Sequence, residues 1–250
     1  MERYQIILAY DGTDFVGSQR QAKSRTVQGE LEKALRKLSW SGRTVYLAGR
    51  TDTGTHASGQ VAAFDLDWQH SLEDLLSALN ANLPADMAVR EVKVAAPKFQ
   101  PRFDATSRRY RYRLFCQSVR DPLRERYAWR VWPPVTELTP LAKIWPGMHD
   151  FAAFGSSQKT GGSTLRTVLF AEWQNHGDEW IFEIQADAFL YRMVRRLVYV
   201  QVAVGQGRVQ AEELVGVLAN GTRAKSRGGS RGIMPGLAPA NGLTLVEVCY

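Results

Sequence analysis

The order of hydrophobic patterns in the first hundred residues limits the possible folds of this chain more than any other feature of its sequence. Short apolar runs rich in β-forming residues predict four strands, at 4–10, 44–47, 61–64 and 89–96. Apolar residues at helical spacing predict two helices, at 27–38 and 72–79. The resulting order, strand-helix-strand-strand-helix-strand, is that of the ferredoxin-like fold. Because many unrelated functions use this fold, it does not by itself identify a function.

Capping signals support both predicted helices. Thr26 stands directly before the first helix, where its hydroxyl can accept a hydrogen bond from a backbone N–H of the first turn. Ser71 and Asp74 have the spacing of a capping box at the start of the second helix. Both helices are therefore expected to begin where the apolar periodicity begins.

The second part of the chain contains similar patterns with insertions. They predict an alternating strand at 108–113, a short helix from 139 and a hairpin at 166–174 and 179–186. A long apolar helix at 189–204, a short helix at 212–219 and a closing strand at 243–248 follow. The helix at 189–204 is apolar most of the way round and must be buried. A basic segment rich in Gly and Ser, 223–231, is expected to be flexible. We predict two domains, 1–100 and 101–250.

A loop with almost no apolar side chains lies between the strands predicted at 44–47 and 61–64. Loops held between strands are where catalytic residues concentrate. Arg50 and Asp52 are two positions apart, so in an extended chain they point the same way and pair. Pairing keeps a carboxylate ionised, as a nucleophile or a base must be. The alternative is a tight turn that Asp52 opens, with Gly54 at a positive φ.

The net charge of +7 is unevenly distributed. Lys+Arg and Asp+Glu balance at 12 each in residues 1–100, so the whole excess lies in 101–250, where most of the basic residues are arginine. Arginine suits bidentate phosphate contacts and stacking on bases. This distribution favours a polyanionic partner, above all nucleic acid, over a merely solvated basic surface, although charge alone leaves both open.

Cations and aromatic residues alternate in the stretch 108–113. As a strand it places Arg108, Tyr110 and Tyr112 on one face and three arginines, at 109, 111 and 113, on the other. A site that holds phosphates and stacks bases needs this combination. A surface strand with cation–π pairs is the alternative.

Several classes of protein are disfavoured. No apolar run approaches the roughly 18 residues that a membrane span needs, and no signal peptide precedes the first strand pattern. Cys116 and Cys249 are far apart and predict buried free thiols in a reducing cytoplasm. No metal-ligand spacing is present, and no glycine pattern of a phosphate-binding loop follows a strand and opens a helix.

Blocks of residues in a characteristic order extend along the whole chain: Asp11-Gly12, Gln19-Arg20-Gln21, Ala48-Gly49-Arg50-Thr51-Asp52, Asn80-Ala81-Asn82-Leu83-Pro84, Arg108-Arg109-Tyr110-Arg111-Tyr112, Phe189-Leu190-Tyr191-Arg192-Met193-Val194-Arg195 and Gly242-Leu243. With these blocks the chain resembles the TruA-type tRNA pseudouridine synthases. The resemblance implies isomerisation of uridine to pseudouridine in the anticodon stem-loop of tRNA, at positions 38 to 40. It also implies a homodimer in which a tRNA contacts both subunits, with no metal and no organic cofactor.

The fold that the resemblance implies is of the α+β class. Two ferredoxin-like halves would be joined into one extended, mostly antiparallel sheet, with helices on one face and a central active-site cleft.

The resemblance also implies roles for five residues. Asp52 would be the catalytic carboxylate, which either attacks the ribose or removes a proton from it. Arg50 would pair with Asp52 and displace the neighbouring base when the target is flipped out. Tyr110 would stack on the target uracil, Leu245 would form an apolar floor beneath it, and Arg195 would pair with Asp52 or bind a phosphate.

Three departures from the family pattern concern the surroundings of these residues. The family usually has Trp where this chain has Ser18, which predicts a weaker contact of the entrance loop. Asp187 replaces an Asn and adds a negative charge beside the basic helix, and Thr53 and Thr55 replace Ala and Val.

Two other functions stay open, a pseudouridine synthase for another RNA site and a non-catalytic RNA-binding protein that would not need Asp52.

Overall fold

The predicted order of strands and helices in the first hundred residues is confirmed. The computed structural model describes residues 1–157, 160–219 and 235–250. Its first elements are β1 (Glu2–Tyr10), α1 (Val27–Lys37), β2 (Tyr46–Leu47), β3 (His56–Leu66), α2 (Leu72–Asn82) and β4 (Met87–Val94). Strand β3 begins five residues earlier than predicted and β2 is only two residues long, so the loop between them is 48–55 and residues 58–60 belong to a strand.

The following elements are β5 (Ser107–Cys116), β6 (Trp129–Val131), α3 (Thr139–Ala142), β7 (Gly147–Asp150), β8 (Leu165–His176), β9 (Glu179–Ala186), α4 (Met193–Gly205), α5 (Ala211–Ala219) and β10 (Leu243–Cys249). The predicted start of the long helix at Phe189 is wrong. Arg192 has a left-handed backbone, with φ of 62°, and residues before it cannot continue the helix. The basic segment 223–231 lies outside the described residues.

Two compact units divide the chain. The first comprises residues 1–106 and 244–250, and the second comprises 107–243. The closing strand therefore belongs with the first unit, because Thr244 and Leu245 pair with the start of β3. The division into domains 1–100 and 101–250 stays a prediction.

Each unit has its own strand order. In the first unit the order is β4-β1-β3-β10, with β2 also on β3, and only the β10–β3 pairing is parallel. In the second unit the order is β5-β9-β8-β7, antiparallel throughout, with β6 parallel to β5. The α+β class with mostly antiparallel pairing is confirmed. In the second unit β5, α3, β8, β9 and α4 follow the first five elements of the ferredoxin-like order, and β6 and β7 are insertions; the closing strand β10 belongs to the first unit.

The apolar stripes predicted for the helices form the core of the first unit. Leu31 and Leu35 of α1 and Leu75 and Leu79 of α2 are completely buried. Thr26 caps α1 by accepting a hydrogen bond from the Gly29 N–H, and the capping box of α2 is formed. The N-terminal ends of α1 and α2 are thus capped by the residues that were predicted to cap them. No helix in the described parts of the chain is long and apolar enough to span a membrane.

Candidate active site

Asp52 opens a turn in the loop 48–55. Its carbonyl oxygen accepts a hydrogen bond from the Thr55 N–H at 3.1 Å, and Gly54 has a φ of 78°. The Gly54 N–H donates to the Phe15 carbonyl oxygen at 3.3 Å, which joins the turn to the loop after β1. The turn foreseen from Gly54 is therefore present, and it places the half-buried Asp52 at its first position.

Thr51, which stands between the two candidate catalytic residues, is held at three of its polar groups. Its N–H donates to Ser18 Oγ at 2.8 Å, and its carbonyl oxygen accepts from the Ser18 N–H at 3.1 Å. Its hydroxyl lies 2.8 Å from the hydroxyl of Tyr10. Because Thr51 is 7% exposed, these contacts are shielded from water and fix the main chain on either side of it.

Tyr10 lies at the end of β1 beneath the loop and is fully buried in the core of the first unit. Burial raises its pKa to about 12, since the phenolate would have to exist without water around it. At neutral pH its hydroxyl is therefore uncharged and available for the hydrogen bond to Thr51.

Two buried side chains of β3 contact the loops of the site, Gln60 the start of loop 48–55 and His56 the loop after β1. Gln60 makes two hydrogen bonds with Gly49, accepting from its N–H at 3.2 Å and donating to its carbonyl oxygen at 2.9 Å. The Nδ1 atom of His56 accepts from the Gly12 N–H at 2.9 Å. Gln60 and His56 therefore support the loops of the site, a role that was not predicted for them.

Ser18 stands where the family usually has Trp, and the weaker contact of the entrance loop stays a prediction. Ser18 is completely buried, and its carbonyl oxygen accepts a hydrogen bond from the Gln28 N–H in the first turn of α1 at 2.9 Å. A small hydroxyl fits between α1 and Thr51, where it accepts from a backbone N–H. The departure therefore adds a contact to the loop.

The polar loop after β1 serves the fold of the first unit. The Arg20 guanidinium donates to the completely buried Glu32 at 2.6 Å, and Gln28 donates to Glu32 at 2.9 Å. Gln21 donates to the Val16 carbonyl oxygen at 2.8 Å. The side chains of Arg20 and Gln21 in this loop, and of Gln28 in α1, thus make hydrogen bonds within the first unit.

The predicted pair of Arg50 and Asp52 is not formed. Within the described residues, the exposed Arg50 side chain makes no hydrogen bond or ion pair. The restraints on Thr51 leave Asp52 half-buried in the turn and direct Arg50 to solvent. Arg50 is thus available to a ligand.

Tyr110 lies on β5 of the second unit, opposite Ile184 of β9. It is 9% exposed, and its ring meets the ring of Phe189 edge-on, with centroids 5.1 Å apart. Tyr112, on the same face, is fully buried and donates its hydroxyl to the Pro239 carbonyl oxygen at 2.8 Å. The predicted alternation of faces along this strand is confirmed.

The opposite face of β5 is less basic than the sequence suggested. Arg111 donates to Glu183 at 2.7 Å, and Arg113 pairs with Glu179 at 2.5 Å. Arg109 also approaches Glu183, at 3.8 Å. The arginines on this face of β5 therefore contact acidic residues of β9, whereas the sequence had suggested contacts with phosphates or with aromatic rings.

The remaining predicted residues lie in different units. Leu245 of β10 pairs with Ala57 at the start of β3 and is completely buried. Arg195, in the first turn of α4, donates through Nε to the Ala238 carbonyl oxygen at 2.8 Å. Asp187 accepts a hydrogen bond from the Thr167 N–H at 3.1 Å and so connects to the start of β8 in the second unit.

In the parts of the chain that the structure describes, no three His, Cys, Asp or Glu side chains could together hold a metal ion.

Comparison with known proteins gives one consistent result. The family model described as tRNA pseudouridine synthase matches residues 6–104 and 141–250. A protein of Chloroflexus aurantiacus named tRNA pseudouridine synthase A is 41% identical over 100% of this chain and 89% of its own length. Proteins of the same name from Limosilactobacillus fermentum and Fervidobacterium nodosum are each 38% identical over 100% of this chain, and over 96% and 100% of their own lengths.

Proposed function

The chain belongs to the tRNA pseudouridine synthase family, and on that premise we propose that it isomerises uridine in the anticodon stem-loop of tRNA, at positions 38 to 40, with Asp52 as the catalytic carboxylate. The observation that carries the assignment of Asp52 is the restraint on Thr51, its neighbour. A turn with no catalytic duty does not need three buried hydrogen bonds on one residue. A carboxylate that must meet a reacting atom needs such restraints, because a small displacement of the catalytic group slows the reaction.

The reaction needs a carboxylate and a base that has left its stack. The bond between N1 of uracil and C1′ of ribose breaks, the uracil turns, and C5 bonds to C1′ while its proton is lost and N1 gains one. Asp52 assists either by attacking the ribose or by removing a proton from it, and both routes remain open. Because Asp52 is half-buried, it is reachable by an extruded nucleotide while being held in place.

Arg50 is proposed to displace the base that neighbours the target. Its guanidinium is exposed and forms no internal ion pair in the described residues, so it can occupy the space that the flipped nucleotide leaves. A planar cation suits this task because it stacks on bases and donates to phosphates.

Three further residues are proposed to contact the substrate. Tyr110, with its ring supported edge-on by Phe189, offers an aromatic surface for the target uracil. Arg195 is proposed to bind a phosphate or the catalytic carboxylate. Leu245 is proposed as an apolar floor, and its complete burial means that it would act through the packing of the strand start beside it.

The proposed setting of the enzyme is a cytoplasmic homodimer in which a tRNA contacts both subunits through its anticodon stem-loop, and no cofactor is used. The basic excess in residues 101–250 supports the nucleic-acid partner, since phosphate contacts dominate the affinity of such complexes. The homodimer is proposed on the resemblance of the chain to its family, and the compartment on the free thiols predicted for Cys116 and Cys249.

The test maps pseudouridine in tRNA from cells that lack this protein and are complemented with wild type, Asp52→Asn or Asp67→Asn. Asp67 is an exposed aspartate of the same unit and serves as the control. We expect wild type and Asp67→Asn to restore pseudouridine at positions 38 to 40 and Asp52→Asn to restore none. Full restoration by Asp52→Asn would remove Asp52 from the catalytic role. Restoration at other tRNA positions or in ribosomal RNA would reassign the substrate.

A further inference from the structure

The main chain at Thr51 depends on Ser18. The Thr51 N–H points at Ser18 Oγ, 2.8 Å away, and both groups are buried. The second hydrogen bond, from the Ser18 N–H to the Thr51 carbonyl oxygen at 3.1 Å, runs in the opposite direction. Two bonds on opposite sides of one residue prevent the peptide groups that flank it from turning.

Ser18 is itself fixed to a helix. Its carbonyl oxygen accepts from the Gln28 N–H at 2.9 Å, and the carbonyl oxygen of Gly17 accepts from the Val27 N–H at 3.4 Å. These N–H groups belong to the first turn of α1, whose apolar side is completely buried. Ser18 therefore connects a rigid helix to the residue beside Asp52.

The close approach of the two segments also depends on the residue before Ser18. Gly17 has a φ of 76°, and a Cβ atom there would lie 3.0 Å from the Thr51 carbonyl oxygen. The absence of a side chain lets the main chain of residues 17–18 lie directly against Thr51. The contact is thus made of main chain and one hydroxyl, with no room for a side chain in between.

We propose that Ser18 is a positioning residue for the isomerisation: its hydroxyl fixes the Thr51 amide and thereby sets the direction in which Asp52 presents its carboxylate. The inference rests on the proposed function. Because Ser18 is completely buried, its proposed effect is on the chemical step and not on tRNA affinity. Displacing a catalytic group by about 1 Å can slow a reaction by on the order of a hundredfold.

The experiment compares the full-length wild type with Ser18→Ala, Ser71→Ala and Asp52→Asn. Ser71 is the matched control, because its Oγ also accepts a hydrogen bond from a backbone N–H of the first unit, that of Asp74 at 3.1 Å, at the start of α2. For each protein we measure the single-turnover rate of pseudouridine formation, the dissociation constant for the same tRNA, the thermal unfolding midpoint and the hydrogen exchange of the Thr51 amide.

We expect both serine variants to unfold at lower temperature than wild type. Ser18→Ala alone is expected to lower the single-turnover rate by roughly ten- to a hundredfold, to accelerate exchange of the Thr51 amide and to leave the dissociation constant within about twofold. Equal rates for Ser18→Ala and Ser71→Ala, with Asp52→Asn inactive, overturn the inference while the proposed function stands. An Asp52→Asn variant with the wild-type rate overturns both. A loss confined to tRNA affinity also contradicts the positioning role.

Discussion

Ser18 and Thr51 lie 33 positions apart in the sequence and are joined by two hydrogen bonds of opposite direction. The pattern resembles that of two residues opposite each other on antiparallel strands, except that the Ser18 hydroxyl accepts in place of the Ser18 carbonyl oxygen and neither residue belongs to a strand. The two hydrogen bonds hold the loop 48–55 as hydrogen bonds hold a strand in a sheet. Arg50 and Asp52, on either side of Thr51, take no part in strand pairing. The candidate catalytic residues are thus held firmly without being buried completely.

Replacing Gly17 with alanine is expected to weaken this arrangement. The positive φ costs a side chain about 1 to 2 kcal/mol of folding free energy, and the new Cβ would press on the Thr51 carbonyl oxygen. Denaturant unfolding gives the loss of stability, and single-turnover kinetics gives the loss of pseudouridine formation, which we expect to be at least tenfold.

The control for this variant is Gly177→Ala. Gly177 has nearly the same φ, 78°, but nothing lies within 4 Å of its missing Cβ. It should lose comparable stability and keep the wild-type rate. Equal rates for the two variants would show that the contact with Thr51 has no part in catalysis.

Removing the Arg50 side chain is expected to affect the reaction and not the fold. Because the side chain is exposed and unpaired within the described residues, Arg50→Ala should change the free energy of unfolding by less than about 0.5 kcal/mol. Pseudouridine formation at saturating tRNA should fall at least tenfold. Arg90→Ala, which removes an exposed cation from β4, should leave that rate intact. A comparable loss in both variants would point to charge alone.

The stability of the first unit is expected to fall in alkaline solution because of Tyr10. Its pKa is raised from 10.0 to about 12, so the folded protein keeps the proton that the unfolded chain releases. The contribution of the neutral Tyr10 hydroxyl to the free energy of unfolding is complete below pH 10. It is lost as the pH rises towards 12, by roughly 3 kcal/mol in total. Urea unfolding at pH 9, 10 and 11 measures this slope.

Tyr10→Phe should flatten the alkaline slope and lower stability at pH 7 by about 1 kcal/mol, since the Thr51 hydroxyl loses its partner. Tyr46→Phe, at an exposed tyrosine, should follow the wild-type curve. An unchanged slope in Tyr10→Phe would assign the alkaline loss to other groups, of which the buried Tyr112, with its strongly raised pKa, is the first to examine.

The ion pairs of β5 give a prediction about tRNA affinity. Glu183→Gln removes the carboxylate that pairs with Arg111 and lies 3.8 Å from Arg109, so this face of β5 becomes more positive. If this face contacts RNA, affinity at low salt should rise and the slope of log affinity against log salt should steepen by about one phosphate contact. Glu73→Gln, at an exposed residue of α2, makes the same charge change without releasing an arginine. Identical slopes in both variants would exclude this face from the interface.

Local patterns predicted the parts of the fold that depend on local physics. The strand and helix order of the first unit, the cap at Thr26 and the capping box at Ser71 each need only a few neighbouring residues. The start of α4 was missed because the left-handed backbone at Arg192 leaves no mark in a run of apolar side chains.

The candidate site was predicted as a set of residues but not as a structure. The pairing of Arg50 with Asp52 assumed an extended chain, whereas contacts with Ser18 and Tyr10 decide the backbone there. The hydrogen bond from the Thr51 N–H to the Ser18 hydroxyl could not be predicted, because a sequence does not show which distant groups meet in the fold. An available signal was Gln60, a polar residue beside an apolar strand run, which would need hydrogen-bonding partners if it were buried, as it is in the structure.

The return of residues 244–250 to the first unit has a consequence for how the protein is made. Strand β10 pairs with β3, and the Thr106 N–H donates to the Cys249 carbonyl oxygen at 2.9 Å, so the unit that carries Asp52 includes a strand separated from its neighbours by all of 107–243. During translation this strand leaves the ribosome only after the second unit has been synthesised. Nascent chains can therefore fold the second unit first, and no ribosome-bound intermediate that lacks 244–250 can complete the neighbourhood of the catalytic loop.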